Sequence, residues 1–343
     1  MQYELAPMEG ITGYIYRNAY AGYFGDMDRY YTPFIASTGL NHKERNDVLP
    51  EHNAAFLLGE ESVENIRESG TDRQGKNSCP RLIPQILTNR AEDFLTIAAR
   101  LEQMGYTHVN LNLGCPSGTV VSKGRGAGFL EYPRELAAFL EEIFTKCSLY
   151  ISIKTRIGVK DSAQWEEILH IYAEFPVEEL IIHPRVQQDY YRNPVRWEDI
   201  DQTLENLARW GSKIPLCLNG DIHTLADYKV LRQRYPQIER VMLGRGVLKD
   251  PFLVQRLQGW EKGDTEEMET SLQEQREILR VFHQELLDGY REIMSGDRDT
   301  LFRMKELWTY LGTSFPGKEK ALKGIRKAAT MSQYRAAVAD ILG

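Results

Sequence analysis

A cysteine in the turn Gly114-Cys115-Pro116 is the side chain best suited to acid or nucleophilic chemistry. A thiol donates a proton or, as a thiolate, attacks an electrophile, and its ordinary pKa of about 8.5 leaves it protonated at neutral pH. Glycine and proline force a turn just past the apolar run 108–113, which presents the thiol at the end of that run. We therefore predict a proton donor or a nucleophile at Cys115. Cys147 and Cys217 are expected to be buried structural cysteines.

Polar and charged side chains also interrupt the apolar runs. In the run 150–156, Lys154 and Arg156 alternate with isoleucines. If the isoleucines face helices, both cations point into the interior, and the same alternation turns Asn112 inward. An interior cation is costly unless an anion or a polar network meets it, although a structural ion pair is the alternative for a single such residue. Other apolar runs end in Pro7, Met8, Gln85, His183, Asn219, Gly244 and Arg245.

Two turns that contain glycine predict a phosphate site. They are Asn219-Gly220-Asp221 and Gly244-Arg245-Gly246, and they follow the last two apolar runs. Glycine lets backbone N–H groups approach an anion, and Arg245 adds a charge-assisted contact. Turns that bind no ligand are the alternative. We predict a ligand that carries a phosphate.

The elements that must position these residues are short apolar runs that alternate with longer stretches of helical spacing. The runs with the character of strands are 3–8, 30–37, 82–87, 108–113, 150–156, 179–183, 215–219 and 240–244. Helical stretches between them include 91–104, 133–144, 162–175 and 225–235. This eightfold repeat predicts an α/β fold, the TIM (β/α)8 barrel. Barrel enzymes keep their active sites at the C-terminal ends of the strands, where the polar residues lie.

Beyond residue 254 the strand pattern stops and a helical tail begins. One long helix is predicted to end near residue 293 and to open at a cap formed by Asp264 and Glu267. Further helices are predicted over 300–311, 318–329 and 332–341. We therefore divide the chain into a barrel, residues 1–254, and a small C-terminal α-helical bundle, residues 255–343. The connection 39–80 is unusually long, and its portion 41–53 is predicted to be a loop.

Charge is distributed unevenly along the chain. The 343 residues carry a net charge of −7, which argues against nucleic-acid binding by the whole surface. Residues 300–343, however, contain eight Lys/Arg and three Asp/Glu, a net of +5, whereas residues 261–299 contain five and twelve, a net of −7. Either the tail has a basic face for an anionic partner or these lysines and arginines form a solvated helix surface.

Composition excludes several other classes of protein. No apolar run approaches the roughly 20 residues that cross a bilayer, and the start Met1-Gln2-Tyr3-Glu4 does not resemble a signal peptide. We expect a cytoplasmic protein without membrane contact. Four cysteines without a Cys-x-x-Cys pair predict reduced thiols, no disulfide framework and no metal site.

Several motifs together resemble the tRNA-dihydrouridine synthases, in order and spacing, over roughly the first 250 residues. They are APMEG at 6–10, LNLGCPS at 111–117, IKTR at 153–156, LNGDI at 218–222 and MLGRG at 242–246. In the tail, FRMKELWTYL at 302–311 looks like the basic-aromatic helix of that family. The Gly-Cys-Pro element is the most specific of these motifs.

The resemblance implies FMN at the barrel mouth, NADPH as the reductant and uracil within tRNA as the substrate. By position, Met8 would abut the flavin ring, and Gln85 and Lys154 would hydrogen-bond its polar edge. The phosphate end would be served by His183, Asn219, Asp221, Gly244 and Arg245, and the cofactor set is completed by Pro7, Asn112 and Gly220. Cys115 would protonate C5 of uracil after flavin N5 delivers hydride to C6.

The RNA contacts are expected from basic residues at the mouth and on the tail. At the mouth they are Arg156 and Arg185. On the tail they are Arg303, Lys305, Lys318, Lys320, Lys323, Arg326 and Lys327.

Two positions depart from the family pattern. Gly118 stands where family members usually have a lysine, and Lys123 or Arg125 would have to replace it. Pro184 follows His183 where glycine or alanine is usual, which removes one backbone donor. Both departures affect the expected RNA or phosphate contacts.

Two alternatives compete with this interpretation. The first is an FMN barrel of the dihydroorotate dehydrogenase type, which would act on a free pyrimidine and would not need the basic tail. The second is a flavin-free RNA-binding protein that keeps the barrel as a scaffold. The expected oligomeric state is a monomer.

Overall fold

The fold is a closed parallel barrel with helices around it. The structure is a computed structural model that describes residues 1–24, 27–53, 56, 81–263 and 271–343. Its strands are β1 (Gln2–Leu5), β2 (Arg29–Tyr31), β3 (Leu82–Ile83), β4 (Gln85–Ile86), β5 (His108–Leu113), β6 (Tyr150–Arg156), β7 (Leu180–His183), β8 (Leu216–Asn219) and β9 (Arg240–Leu243). Every pairing is parallel, and the order β3-β2-β1-β9-β8-β7-β6-β5-β4 runs once around the barrel.

The segments β3 and β4 are two halves of one barrel strand. Pro84 separates them, because proline has no N–H to donate to a ladder. β3 pairs with β2 and β4 pairs with β5, so the two halves close the barrel. Counted as one strand, they make eight, and the predicted TIM barrel is confirmed.

Helices follow the strands as the periodicity predicts. In the barrel they span Tyr14–Phe24, His42–Val48, Ala91–Gln103, Gly118–Val121, Pro133–Lys146, Trp165–Ala173, Trp197–Trp210, Leu225–Arg234, Arg245–Lys249 and Leu253–Lys262. Short 3-10 helices span Pro50–His52, Gly126–Glu131, Gln187–Asp189 and Gly312–Ser314. In the described part of the chain, none of the helices combines the length and apolar character needed to cross a membrane.

The prediction of a loop over 41–53 is wrong for most of that segment. Helix His42–Val48 begins there, and Asn41 and Glu44 form a capping box. The Asn41 side chain accepts the Glu44 N–H at 3.1 Å, and the Glu44 carboxylate accepts the Asn41 N–H at 2.9 Å. These reciprocal bonds satisfy two backbone donors that a helix start otherwise leaves unpaired. The rest of the long connection, residues 57–80 with Cys79, lies outside the described residues.

The N-terminal end of the barrel interior holds a buried ion network that the sequence analysis missed. Glu179 accepts hydrogen bonds from Arg29 at 3.1 Å, Arg240 at 2.8 Å and the Tyr31 hydroxyl at 2.9 Å. Burial, together with the neighbouring Glu179, raises the pKa of Glu4 well above its usual range. Glu4 is therefore the neutral partner of a carboxyl pair whose charge the arginines balance.

The tail consists of helices Leu272–Ile293, Asp297–Leu311, Glu319–Lys327 and Met331–Leu342. All four were predicted, but the first begins at a capping box formed by Ser271 and Glu274. The predicted cap, Asp264 with Glu267, lies outside the described residues.

The predicted domain boundary at residue 254 falls inside a helix, Leu253–Lys262. Because its Trp260 packs edge-on against Tyr228 of the barrel at 5.9 Å, we propose a domain boundary after Lys262.

A buried polar cluster joins three of the tail helices. The Tyr334 hydroxyl lies 2.6 Å from His283 Nε2 and accepts the Trp308 indole N–H at 2.9 Å. Burial lowers the pKa of His283 to about 4, so the imidazole is neutral in the folded tail. Because an imidazole titrates near 6.5 in an unfolded chain, the stability it contributes is complete above that pH and is lost as the pH falls towards 4.

We expect this histidine to make the tail sensitive to acid. Between pH 7 and pH 4, wild type should lose about 3 kcal/mol more unfolding free energy than His283→Gln, which keeps a hydrogen-bonding side chain but does not titrate. Urea denaturation across this pH range measures the difference. Equal pH dependence in the two proteins would show that His283 does not titrate in this way.

Candidate functional site

A cavity of about 250 Å³ opens at the C-terminal ends of the barrel strands. All eleven residues that the sequence predicts to bind the cofactor line this cavity. They are Pro7, Met8, Gln85, Asn112, Lys154, His183, Asn219, Gly220, Asp221, Gly244 and Arg245. Cys115 lines the same cavity. The tertiary structure therefore brings the predicted catalytic and cofactor-binding positions together in one place.

Side-chain amides on neighbouring strands form a chain that leads to the cysteine. Asn112 donates to Gln85 Oε1 at 2.7 Å, and Gln85 donates to Asn110 Oδ1 at 2.7 Å. The Asn112 carbonyl oxygen in turn accepts the N–H groups of Gly114 at 3.1 Å and Cys115 at 2.9 Å. Asn112 therefore fixes the turn that carries the thiol, whereas its position in the sequence predicts only a contact with the cofactor.

Cys115 is half-buried at the edge of this cavity. Burial raises the pKa of its thiol above the usual range, so the group is protonated at neutral pH. A thiol in this state suits proton donation better than nucleophilic attack, because the thiolate is the nucleophile. Of the two roles predicted from the sequence, proton donation therefore fits this environment better than nucleophilic attack.

Lys154 points into the barrel as the strand alternation predicts. Its ammonium donates to Asn219 Oδ1 at 2.9 Å, and Asn219 is held in turn by its own bond to the Met242 carbonyl at 2.8 Å. Burial, with a smaller effect of the nearby Arg156, lowers the pKa of Lys154 to about 8. The lysine is therefore a cation at neutral pH without a carboxylate bonded to it in the described residues.

On the far side of the cavity, two arginine side chains surround the carboxylate of Asp221. Arg245 meets the Asp221 carboxylate at 2.8 Å, and Arg185 contacts its other oxygen. Burial favours the neutral acid, but hydrogen bonds from His223 and Arg185 outweigh it and hold the pKa of Asp221 well below its usual range. Arg245 also lies 4.5 Å from the ring of Tyr191. Two guanidinium groups against one carboxylate leave positive charge for an anionic ligand.

Glycine is required at two positions around this end. A Cβ on Gly246 would lie 2.2 Å from the Ile222 carbonyl oxygen, and one on Gly220, whose φ is 136°, would lie 2.9 Å from the His183 ring. No side chain fits either gap. The two turns therefore keep their backbone close together, as the prediction of a phosphate site requires.

Several cavity residues were missed by the sequence analysis. They are Glu9, Phe34, Tyr191 and His223. His223 Nδ1 is buried without a hydrogen-bond partner, and the residue lines the cavity near Asp221. An orphaned buried donor or acceptor is costly, so it points to a polar ligand at this end. His223 directly follows the motif LNGDI at 218–222, and this position was the sequence signal that could have pointed to it.

The chain matches a family model over most of its length. The model is described as Dihydrouridine synthase (Dus), and it covers residues 4–318. The chain belongs to this family. As a Dus-family member it is a flavin-dependent oxidoreductase, which contradicts the alternative of a flavin-free scaffold.

Individual relatives are similar at modest identity. A probable tRNA-dihydrouridine synthase of Staphylococcus aureus strain MRSA252 is 26% identical over 288 residues, which are 84% of this chain and 78% of the relative. The probable tRNA-dihydrouridine synthase 2 of Bacillus subtilis strain 168 is 26% identical over 286 residues, 83% and 78% of the two chains. Among solved structures, morphinone reductase has a TM-score of 0.44 at 12% identity, covering 75% of this chain and 85% of its own.

The structure separates the predicted RNA-binding residues of this Dus-family chain into two groups. Arg156 is buried and donates to the carbonyls of Gly114, Val186 and Tyr190, at 2.8 to 3.1 Å. Arg185 is 2% exposed and is held by Asp221 and the Asn193 carbonyl.

On the tail, three of the predicted residues bond to backbone carbonyls. Arg303 donates to Gly10, Lys305 to Ala328 and Lys318 to Asp340. By contrast, the exposed residues are Lys320, Lys323, Arg326 and Lys327.

Proposed function

We propose that this chain reduces the C5=C6 bond of specific uridines in tRNA to 5,6-dihydrouridine, with FMN as the bound flavin and NADPH as the reductant. The observation that carries the proposal is the position of the protonated Cys115 in the same cavity as Lys154 and Asn112. Family membership supports the same reaction. The experiment that tests it is mapping of dihydrouridine in tRNA from cells with and without the protein.

The residues of the cavity suit the two ends of a flavin mononucleotide. Arg245 and the turn of Asn219, Gly220 and Asp221, with Gly244, would hold the phosphate, and the orphaned His223 nitrogen lies at that same end. His183 lies beside them, and burial lowers its pKa well below the usual range, so it acts as a neutral hydrogen-bonding group.

The ring end would meet the opposite group of residues. Lys154 and Gln85 would bind the polar edge of the ring and Asn112 would contribute to the same amide chain, while Pro7 and Met8 would pack beside it. When bound, the flavin supplies hydride exchange between NADPH and the nucleobase. The cation at Lys154 stabilises negative charge that develops near it, without any need for a new group to move in.

The nucleobase has to leave its stack to enter this cavity. A uracil inside a folded RNA cannot reach the barrel mouth, so the target nucleotide is extruded, as in other enzymes that act on bases. Addition of hydride to C6 leaves carbanion character at C5, and C5 then requires a proton. The Cys115 thiol donates that proton to C5.

The tRNA affinity would come from the tail. Lys320, Lys323 and Lys327 are spaced by three and four residues on helix Glu319–Lys327, which aligns them on one exposed face, with Arg326 beside them. Arg303, Lys305 and Lys318 would support this surface through the carbonyls that they bind. Arg156 and Arg185 would hold the loops around the mouth in place, because their N–H groups donate to acceptors inside the protein.

The triple variant Lys323→Ala, Arg326→Ala, Lys327→Ala should therefore bind tRNA more weakly and with a shallower salt dependence. Removing a cation that pairs with a phosphate takes close to one unit from the slope of log affinity against log salt, so a decrease of about two to three units is expected. NADPH oxidation should be unchanged. The matched control replaces Arg134, Lys146 and Lys213, exposed basic residues of the barrel, with alanine. Equal affinity and slope in both triple variants would remove the tail from the proposal.

The remaining rival, reduction or oxidation of a free pyrimidine, is tested with the same protein. Turnover of free dihydroorotate, with no dihydrouridine formed in tRNA, would replace the proposed function. A comparison of NADPH with NADH as the electron donor tests the reductant.

A further inference from the structure

A second cleft of about 280 Å³ lies where the barrel meets the tail. One wall is formed by the loop after β1 and the start of helix Tyr14–Phe24, and another by helix His42–Val48. The tail closes the remaining side with Tyr290, Ile293 and Met294 from the end of the long helix, and with Arg303. The cleft is thus built from both parts of the molecule and belongs to neither alone.

This cleft adjoins the flavin cavity through two consecutive residues. Glu9 lines the first cavity and Gly10 lines the second. The Glu9 carboxylate forms an ion pair with Lys43, which stands in the wall of the second cleft. Burial raises the pKa of both Cys115 and Asp47, and the charge of Glu9 adds a smaller effect in the same direction to each. The two sites are therefore neighbours along the loop after β1.

The lining of the cleft combines one aromatic ring, apolar side chains and one buried carboxylate. Tyr14 is half-buried, and His52 stacks on it at 4.5 Å with the ring planes 14° apart, so the remaining part of the Tyr14 ring is accessible from the cleft. Ile293 and Met294 face it from the tail. Asp47 is 4% exposed, and one of its carboxyl oxygens accepts the Tyr14 N–H at 2.7 Å.

Two basic side chains, Lys43 and Arg303, stand in the wall of the cleft. Lys43 pairs with Glu9 and Arg303 pairs with Glu306 at 2.8 Å, so a phosphate would compete with one carboxylate for each of them. A ring surface for stacking, a carboxylate that accepts N–H groups and a cationic rim match a nucleotide: its base, the donors on the base edge, and its phosphate. The Asp47 oxygen that accepts the Tyr14 N–H also lies 3.7 Å from the Arg17 guanidinium, so the second carboxyl oxygen is the one a ligand N–H would reach. A purely apolar ligand would give that oxygen no hydrogen bond.

We propose that this cleft is a second nucleotide-binding pocket, which holds the base next to the target uridine and presents Asp47 to N–H donors on that base. The proposal rests on the proposed tRNA function. The pocket would anchor the RNA on one side of the extruded uridine and so help to select which uridine enters the flavin cavity. Because the tail supplies part of its wall, tail position and base selection are coupled.

The other nucleotide that reaches the flavin cavity is the reductant, whose adenosine end has similar chemistry. The tail wall favours RNA, because the exposed basic residues Lys320, Lys323, Arg326 and Lys327 belong to the same bundle. The two occupants predict different defects in a variant whose cleft is filled, so one experiment distinguishes them.

The test is the variant Ile293→Trp, which fills the cleft from an exposed position at the end of its helix (Ile293 is 43% exposed). The matched control is Leu272→Trp, the same new side chain at the start of the same helix, where the residue is 77% exposed and outside the cleft. Both proteins are purified with their flavin, and the measurements are melting temperature, flavin content, NADPH-driven flavin reduction and affinity for unmodified transcribed tRNA. Wild type is assayed in parallel for dihydrouridine formation.

We expect Ile293→Trp to weaken tRNA binding by a factor of roughly 5 to 150, the range of one base stack, with the other measurements equal to those of the control. A loss of NADPH-driven reduction with normal tRNA binding would assign the cleft to the reductant and overturn the proposal. Equal tRNA affinity in the two variants would also overturn it. If wild type forms no dihydrouridine, the proposed function itself fails, which is a separate outcome.

Discussion

Replacing Cys115 with alanine is expected to slow the reduction of tRNA by a factor of roughly 10² to 10⁴, the usual contribution of a positioned proton donor. NADPH-driven flavin reduction and flavin content should be nearly normal, because neither step needs this proton. The thiol is well placed for the role. Asn112 fixes its turn through the N–H groups of Gly114 and Cys115, and burial raises the pKa of the thiol.

The measurement is a stopped-flow comparison of the two half-reactions in wild type, Cys115→Ala and Cys147→Ala. Cys147 is also partly buried, but it ends helix Pro133–Lys146 away from the cavity, so its loss should change neither rate.

The raised pKa of the Cys115 thiol sets the pH range over which it can donate a proton. The proton donor is lost only as the pH rises above the usual thiol range, so the tRNA step should not decline between pH 7 and 8.5 through loss of this proton. Normal tRNA reduction by Cys115→Ala would mean that water or another group is the acid.

Replacing Arg245 with alanine is expected to weaken flavin binding by a factor of about 10 to 150, so that the protein loses flavin on purification. The factor corresponds to one hydrogen bond to a charged group, worth about 1.5–3 kcal/mol. In the structure the Arg245 guanidinium bonds Asp221 at 2.8 Å and lies over Tyr191 at 4.5 Å, which orients it in the cavity wall. Without it, Asp221 would add negative charge to the phosphate end with one fewer cation to balance it.

The matched control is Arg196→Ala. Arg196 forms an ion pair of the same kind, at 3.0 Å from Asp189, but it is not part of the cavity wall. Flavin affinity is measured by titrating FMN into each protein after the flavin has been removed, and the melting temperature shows whether the fold is intact. If Arg245→Ala held FMN as tightly as Arg196→Ala, the phosphate end would have to be assigned elsewhere in the cavity.

The amino-acid sequence alone determined the barrel and the cavity at which the predicted site residues meet. Strand and helix periods are local properties, and eight repeats of them leave few folds that bury every apolar face. The split of the third strand at Pro84 did not disturb this prediction, because the residues on both sides still alternate as a strand. The positions of Lys154, Asn219 and Arg245 also followed, since residues at strand ends of a parallel barrel meet at one mouth.

Local signals were weaker where contacts between distant segments decide the structure. Residues 41–53 read as a loop because their composition is polar, yet the capping box of Asn41 and Glu44 starts a helix there. From the sequence, Arg156 and Arg185 are predicted to contact RNA. In the structure, carbonyls at least 30 residues away take up the donors of Arg156, and the carboxylate of Asp221 binds Arg185. Sequence spacing carries no information about such partners.

Tertiary structure alone decided the remaining features. Asn112 fixes the Cys115 turn through hydrogen bonds from the N–H groups of Gly114 and Cys115. An asparagine at the end of a strand does not always make such bonds, so the sequence did not predict this role. The cleft beside Tyr14 exists only because helix Leu272–Ile293 packs across the loop after β1, and no motif records that packing. Periodicity and residue type set which elements form, because those depend on nearest neighbours, whereas burial, pKa and shared cavities depend on which elements meet.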